Sequence, residues 1–182
     1  MPSPFAHLAA GYIVYRLSSD RICSRSMSEH SWILPRLLIV TLGLSILPDM
    51  DSIFGILFGD FGRFHNNGTH SLVIGLVVAV TFASIVRWRF KFSFASWLII
   101  ALISYAMHVI MDFFTLGRGV MLFWPFSWER YLSPVPLFYG LHWSDGIISI
   151  RHFWTLITEM GFLIIVFVIL QFLPKIRNIL LQ

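Results

Sequence analysis

Apolar residues in this chain neither alternate nor form a stripe; they gather into five runs separated by polar turns. The first, from about Pro4 to Leu17, is short for a membrane crossing, which takes about 20 residues. The second runs from about Trp32 to Leu47, where Pro48 is expected to stop it. A third begins near His70 and ends at Val86, ahead of Arg87-Trp88-Arg89-Phe90-Lys91. The fourth covers Phe94 to Phe114. The fifth spans about Phe153 to Leu173 and is closed by Pro174-Lys175-Ile176-Arg177. Strands would need alternating polarity, and in lipid a segment must satisfy its own backbone polar groups. The pattern therefore predicts an all-α integral membrane helical bundle of about five transmembrane or membrane-embedded helices, forming one domain over residues 1–182.

Composition agrees with a membrane setting. Only 12% of the 182 residues are charged, 57% are hydrophobic, and mean hydropathy is +0.79. A soluble chain of this size leaves roughly 30% of its surface exposed and cannot hide that much apolar side chain. A soluble enzyme, a disordered tail and a disulfide scaffold are excluded; Cys23 is the only cysteine. The Met-Pro-Ser-Pro-Phe-Ala-His start has no basic region ahead of its apolar stretch, which argues against a cleaved signal peptide.

The net charge of +4 comes from scattered residues that flank apolar runs, so nucleic acid is not an expected partner. Nine basic residues (Arg16, Arg21, Arg25, Arg36, Arg87, Arg89, Lys91, Lys175 and Arg177) fall on one side of a five-span arrangement. Four (Arg63, Arg118, Arg130 and Arg151) fall on the other. The positive-inside tendency places the nine in the cytoplasm. If the first segment lies in the interface, four spans remain and keep that orientation. The stretch from Gly119 to Arg151 carries Trp124, Phe126, Trp128, Tyr131, Tyr139 and Trp143 between prolines, and reads as an interfacial lid or re-entrant segment on the outer face.

Histidine and aspartate are segregated. Six of seven histidines and five of six aspartates map to the outer half or outer connections; only His30 and Asp20 fall in the basic inner loop. Ionisable groups at membrane depth are expensive and are tolerated where they pair or line a functional cavity. His108 and Asp112, four apart in the fourth helix, project from one face. They either bite one divalent ion, orient one another beside it, or simply pair. Leu47-Pro48-Asp49-Met50-Asp51 puts two carboxylates on what reads as an extended turn, where a dication relieves their repulsion, unless they simply form a solvated, charged helix end. In His65-Asn66-Asn67-Gly68-Thr69-His70-Ser71, Gly68 permits a tight turn and Thr69 or Ser71 can cap the next helix. His7 precedes the small residues Ala9, Ala10 and Gly11, which allow close helix contact. His142 and Asp145 form a looser pair, and His152 reads as an interfacial residue. Mixed imidazole and carboxylate donors suit zinc, manganese or iron(II) and disfavour calcium. Seven candidate donors exceed the demand of one tetrahedral ion, so one or two ions are expected.

An early His before a small-residue helix, then Leu-Pro-Asp-Met-Asp, His-Asn-Asn-Gly-Thr-His-Ser, and His-Val-Ile-Met-Asp followed by Gly and Trp-Pro-Phe, occur here in that order. From His7 to about Ser127 the chain resembles the YdjM-like, LexA-regulated, membrane-bound metal-dependent hydrolases of the bacterial inner membrane. Two positions depart from that family's pattern. Asn66 stands where an Arg is usual, and Ser104 is displaced from the position before His108. The His and Asp order is in turn remotely similar to zinc-dependent phospholipase C.

The resemblance implies an SOS-response membrane enzyme. His7, Asp49, His65, His70, His108 and Asp112 would ligate zinc, with manganese as the alternative, and Asp51 would serve as general base or bridging ligand. The ion would activate a water and polarise the scissile bond. The apolar surroundings point to membrane lipid or a lipid-linked phosphoester as substrate, met on the periplasmic side. The competing expectation is a non-enzymatic metal-binding membrane protein in transport or stress response. Ionisable groups on both halves would suit a transporter, and the inner halves lack them. Ser-His-Asp elbows, Gly-rich phosphate loops and His-Glu-x-x-His are absent from the sequence.

Overall fold

The computed structural model describes residues 1–23, 32–59, 65–141 and 149–180, with side chains as far as residue 19 in the first stretch and residue 172 in the last. Its α-helices are α1 (Pro4–Cys23), α2 (Ile33–Ile46), α3 (Asp51–Leu57), α4 (Leu72–Phe90), α5 (Phe94–Phe113) and α6 (Arg151–Leu180). Two 3-10 turns, Leu47–Met50 and Gly68–His70, stand before α3 and α4. Among the described residues there is no strand, and the expected all-helical membrane bundle is the architecture found. Among the described residues, four helical stretches are long and apolar enough to cross a bilayer: Ile33–Leu57, Leu72–Phe90, Phe94–Phe113 and Arg151–Phe172. α1 has 20 residues, of which the side chains are described as far as residue 19.

Proline proved a weaker stop than expected. Pro48 ends α2, but it sits in the first turn of a new 3-10 helix that passes directly into α3. Its missing N–H is one that a helix start leaves unbonded in any case. Asp49 and Asp51 therefore lie on a continuous, kinked helical path and not on an extended turn. Likewise α6 runs past Pro174 to Leu180. α4 starts at Leu72, after His70, and continues through Arg87-Trp88-Arg89 until Lys91 turns left-handed at φ 60°. Ser71 supplies the cap, its hydroxyl accepting from Val73 N at 3.1 Å. Ser3 begins α1, its carbonyl accepting from Ala6 N at 3.0 Å.

α5 is the centre of the bundle and packs against α1, α2 and α4. Its buried positions Trp97, Ile100, Ala101, Ser104, Tyr105, His108, Val109, Met111 and Asp112 recur every three or four residues, the spacing of one helical face. Small residues let its neighbours approach: Ala6 and Ala10 on α1, Ala79 and Ala83 on α4 are all fully buried. A side chain at Gly75 would strike the Tyr105 ring at 2.7 Å. α6 leans on α1 and otherwise presents apolar side chains outward, Ile164, Ile165 and Phe167 among them, as a lipid-facing helix does.

Between α5 and α6 the chain is irregular. Val120 and Tyr131 exchange backbone hydrogen bonds at 2.9 Å, and Thr115 pairs with Phe138. The Ser71 hydroxyl donates to the carbonyls of Leu122 (3.1 Å) and Trp124 (2.7 Å), fastening this segment to the start of α4. Phe126 and Trp128 are strongly exposed. His142, Asp145 and Asp60 lie outside the described residues.

Candidate metal centre

Three structural segments converge where α2 gives way to α3. The 3-10 turn Leu47–Met50 carries Asp49, the turn Gly68–His70 carries His70, and the last turns of α5 carry His108 and Asp112. Gly68 is required where it stands, because a Cβ there would meet the Trp124 ring at 2.8 Å. His70 and His108 are fully buried, Asp112 is 2% exposed, and the Asp49 side chain, 13% exposed, is the most open of the four.

Hydrogen bonding fixes which nitrogen of each ring is bare when the ring is neutral. His108 Nδ1 lies 2.7 Å from the Ser45 carbonyl oxygen, which only accepts, so Nδ1 carries the hydrogen and Nε2 a lone pair. The Thr69 hydroxyl donates to Asp51 Oδ2 at 2.5 Å, which leaves its oxygen to accept from His70 Nδ1 at 3.1 Å. His70 Nε2 is then bare as well. The two bare nitrogens face one another at 3.1 Å. Asp49 Oδ1 lies 3.3 Å from His70 Nε2 and 3.4 Å from His108 Nε2. Asp112 Oδ2 lies 3.1 Å and 3.6 Å from the same two atoms.

With both rings neutral, four acceptors thus converge, an arrangement that repels unless a proton or a metal cation sits at its middle. Neighbouring ligands of a tetrahedral zinc ion, bound at about 2.0–2.2 Å, lie about 3.3–3.6 Å apart. The observed separations of 3.1–3.6 Å fit that requirement. Ligand-capable atoms of Asp49, His70, His108 and Asp112 all fall within 4.8 Å of one another. Without an ion the pocket still demands positive charge. Burial disfavours a charged His70, yet Asp112, Asp49 and Asp51 outweigh it and hold its pKa well above the ordinary value.

The other sequence candidates surround this set in different roles. Asp51, His65 and His70 form a second cluster with donor atoms within 4.8 Å. Asp51 accepts from His65 Nδ1 (2.8 Å), Asn66 N (3.1 Å) and the Thr69 hydroxyl. His65 consequently turns Nε2 toward Asp49 Oδ1, 3.8 Å away. His7 stacks on His108 with ring centroids 3.7 Å apart, and its Nε2 lies 3.6 Å from Asp112 Oδ1. Both His7 nitrogens are buried without a hydrogen-bond partner among the described residues, as are both Asp112 oxygens and Asp49 Oδ2. Each unmet group of this kind costs about 1–3 kcal/mol, so the surroundings are built for something that supplies the missing partner.

Several supporting groups carried no sequence signal. The Ser45 carbonyl sets the His108 tautomer, and Tyr105 OH donates to the Thr69 carbonyl at 2.5 Å, steadying the histidine turn. Arg118 donates to the carbonyl of His65. Tyr105 stands three residues before His108 on the buried face, a spacing that marks it in retrospect. Ser104 bonds its own helix at Ile100 O and takes no part.

A model of the YdjM inner membrane protein family matches residues 1–178. The chain belongs to that family. It is also 36% identical over 105 residues to the inner membrane protein YbcI of Escherichia coli (strain K12). That match covers 55% of this chain and 60% of YbcI, so the chain spans less than two thirds of that relative. No solved structure matches. Membership makes this an inner membrane protein that contacts lipid through its apolar helices, with a buried His and Asp cluster able to hold a metal ion.

Proposed function

We propose that the chain is a membrane-embedded, metal-dependent hydrolase acting on a phosphoester of a lipid or lipid-linked substrate at the periplasmic face. The observation that carries this reading is the convergence of four ligand-capable nitrogen and oxygen atoms from His70, His108, Asp49 and Asp112. The donor set favours zinc, with manganese as an alternative. When bound, such an ion supplies Lewis acidity and lowers the pKa of a water near it.

The remaining residues have work that follows from their contacts. Asp51, whose oxygens already accept three hydrogen bonds, orients His65 and His70. That engagement favours a positioning role over a general base or bridging ligand. His7, with two unbonded nitrogens, is placed to exchange a proton with a reacting oxygen or to hold a second ion with Asp112. Asp49 gives the way in, as the most exposed ligand. The exposed Phe126 and Trp128 suit a segment seated at headgroup level, next to a lipid substrate. The excess of basic residues on the opposite side supports a site facing the periplasm.

Depth of burial favours a second reading, a metal-binding membrane protein without turnover, because three of the four ligands have almost no surface. One experiment separates the two. Purified protein is analysed for metals and screened against phosphoester lipids, in wild type and His108→Ala. Stoichiometric zinc or manganese with a metal-dependent cleavage lost in the variant supports the hydrolase. Metal without cleavage of any phosphoester supports the second reading, and absence of metal sinks both.

A further inference from the structure

Arg118 and Arg130 are twelve residues apart in sequence and adjacent in space. The backbone pair Val120–Tyr131 brings them together. Gly119 makes the approach possible: it sits at φ 75°, and a Cβ there would meet the Tyr131 carbonyl oxygen at 2.7 Å. Arg130 Nη1 donates to Gly119 O at 3.1 Å and to Asn66 O at 2.9 Å, and its Nη2 donates to Asn67 Oδ1 at 2.6 Å. Arg118 donates one Nη2 hydrogen to the carbonyl of His65. Both guanidiniums therefore hang on the turn that carries His65 and His70, at the edge of the metal centre.

Neither has a carboxylate partner among the described residues. The ion pairs of the centre join histidines to aspartates, and the nearby Glu129 accepts from Tyr131 OH at 3.0 Å. Partial burial, and then the charge of Arg118, lower the pKa of Arg130, the mark of two cations held close without a counterion. Arg118 is exposed, and most of its five N–H donors have no partner among the described residues.

We propose that Arg118, backed by Arg130, forms a phosphoryl-binding subsite beside the metal centre that holds the anionic group of the substrate. This rests on the phosphoester reading above and adds a specificity element to it. Arg130 is committed to the turn and contributes charge and rigidity. Arg118 keeps a free planar fork, the geometry that takes two phosphate oxygens at once.

The test titrates inorganic phosphate into purified protein, as isolated and after chelator treatment, with zinc measured in the same samples. Retention of phosphatidic acid is followed in phosphatidylcholine nanodiscs that contain it. Arg118→Gln is expected to weaken phosphate binding at least tenfold with zinc content unchanged. Arg118→Lys, which keeps the charge and loses the fork, should fall in between and guards against a folding defect. Loss of phosphatidic acid along with phosphate identifies a lipid headgroup as the source of the anion, and loss of phosphate alone identifies a soluble one; either upholds the subsite. Wild type that binds no phosphate, or Arg118→Gln that binds it as wild type does, overturns it. Protein that holds no zinc as isolated and takes none up, yet binds phosphate through Arg118, sinks the metal reading alone. Zinc-loaded protein without Arg118-dependent binding sinks the subsite alone.

Discussion

His70 Nε2 and His108 Nε2 face one another at 3.1 Å, and in the neutral rings each hydrogen sits on the other nitrogen, held by Thr69 and by the Ser45 carbonyl. Two imidazoles so arranged repel unless something positive joins them. Replacing either ring by alanine removes one of the four candidate ligands, and a site of three donors in a dry pocket would hold zinc far less tightly. His70→Ala and His108→Ala are each expected to lower bound zinc from one per chain to a small fraction of that, read by elemental analysis of the purified protein. Retention of full metal by both variants would place the ion elsewhere.

Asp51 is expected to behave differently from Asp49. Asp49 Oδ1 stands within 3.4 Å of both bare nitrogens, whereas Asp51 touches the centre through His65, Thr69 and His70 Nδ1. Carboxylates that orient a ligating histidine are worth about 10–100-fold in metal affinity. Asp51→Asn should therefore weaken zinc binding by about that factor while Asp49→Asn abolishes it. A competition titration against a chromophoric chelator measures both. Equal losses would show that Asp51 is itself a ligand.

The outline of the fold was legible because lipid leaves a chain few options: apolar runs of spanning length must be helices. The six ligand candidates were legible because imidazole and carboxylate are conspicuous among Val, Ile and Leu, and their i,i+4 spacing on α5 survives any choice of helix end. Pro48 and Pro174 misled because proline forbids one hydrogen bond, and a helix that turns 3-10 or kinks can do without it. The divide between Asp49 and Asp51 was not legible at all. Both lie in the same five residues, and only the 3-10 turn decides that one points at the histidines of the centre while the other receives Asn66 N and Thr69 OH. Arg118 was hidden for a related reason, since its position follows from a bridge across an irregular segment that has no periodicity to read.

The carboxylates around His70 lead to a prediction about pH. In metal-free protein the carboxylates hold His70 protonated, its pKa raised above the ordinary value of about 6.5. A raised folded-state pKa contributes stability that is complete below the unfolded value and is lost as pH climbs through the folded one. Chelator-treated protein in detergent should therefore melt at progressively lower temperature as pH rises above about 6.5, while zinc-loaded protein, whose ion has replaced the proton, should not. Thermal unfolding followed across that range checks it; parallel declines in the two forms would show that His70 is not the proton's holder.

Gly11 offers a route to the centre that touches no ligand. It lies where α1 crosses α2, and a Cβ there would come within 2.8 Å of the Thr41 carbonyl and 2.5 Å of Ser45 Oγ. The Thr41 carbonyl is backbone and cannot rotate away, so Gly11→Ala must push α1 and α2 apart at this crossing. Overpacking of this kind costs about 1–3 kcal/mol. The same displacement moves Ser45, whose carbonyl holds the His108 hydrogen at 2.7 Å, so the tautomer that bares Nε2 loses its support. Gly11→Ala should lower the unfolding temperature and also weaken zinc affinity. An alanine at Gly43, which has open space around it, should do neither. Measuring both variants by thermal unfolding and zinc titration separates a general packing defect from one transmitted to His108: destabilised Gly11→Ala with unaltered zinc affinity would mean that the Ser45 contact does not govern the metal centre.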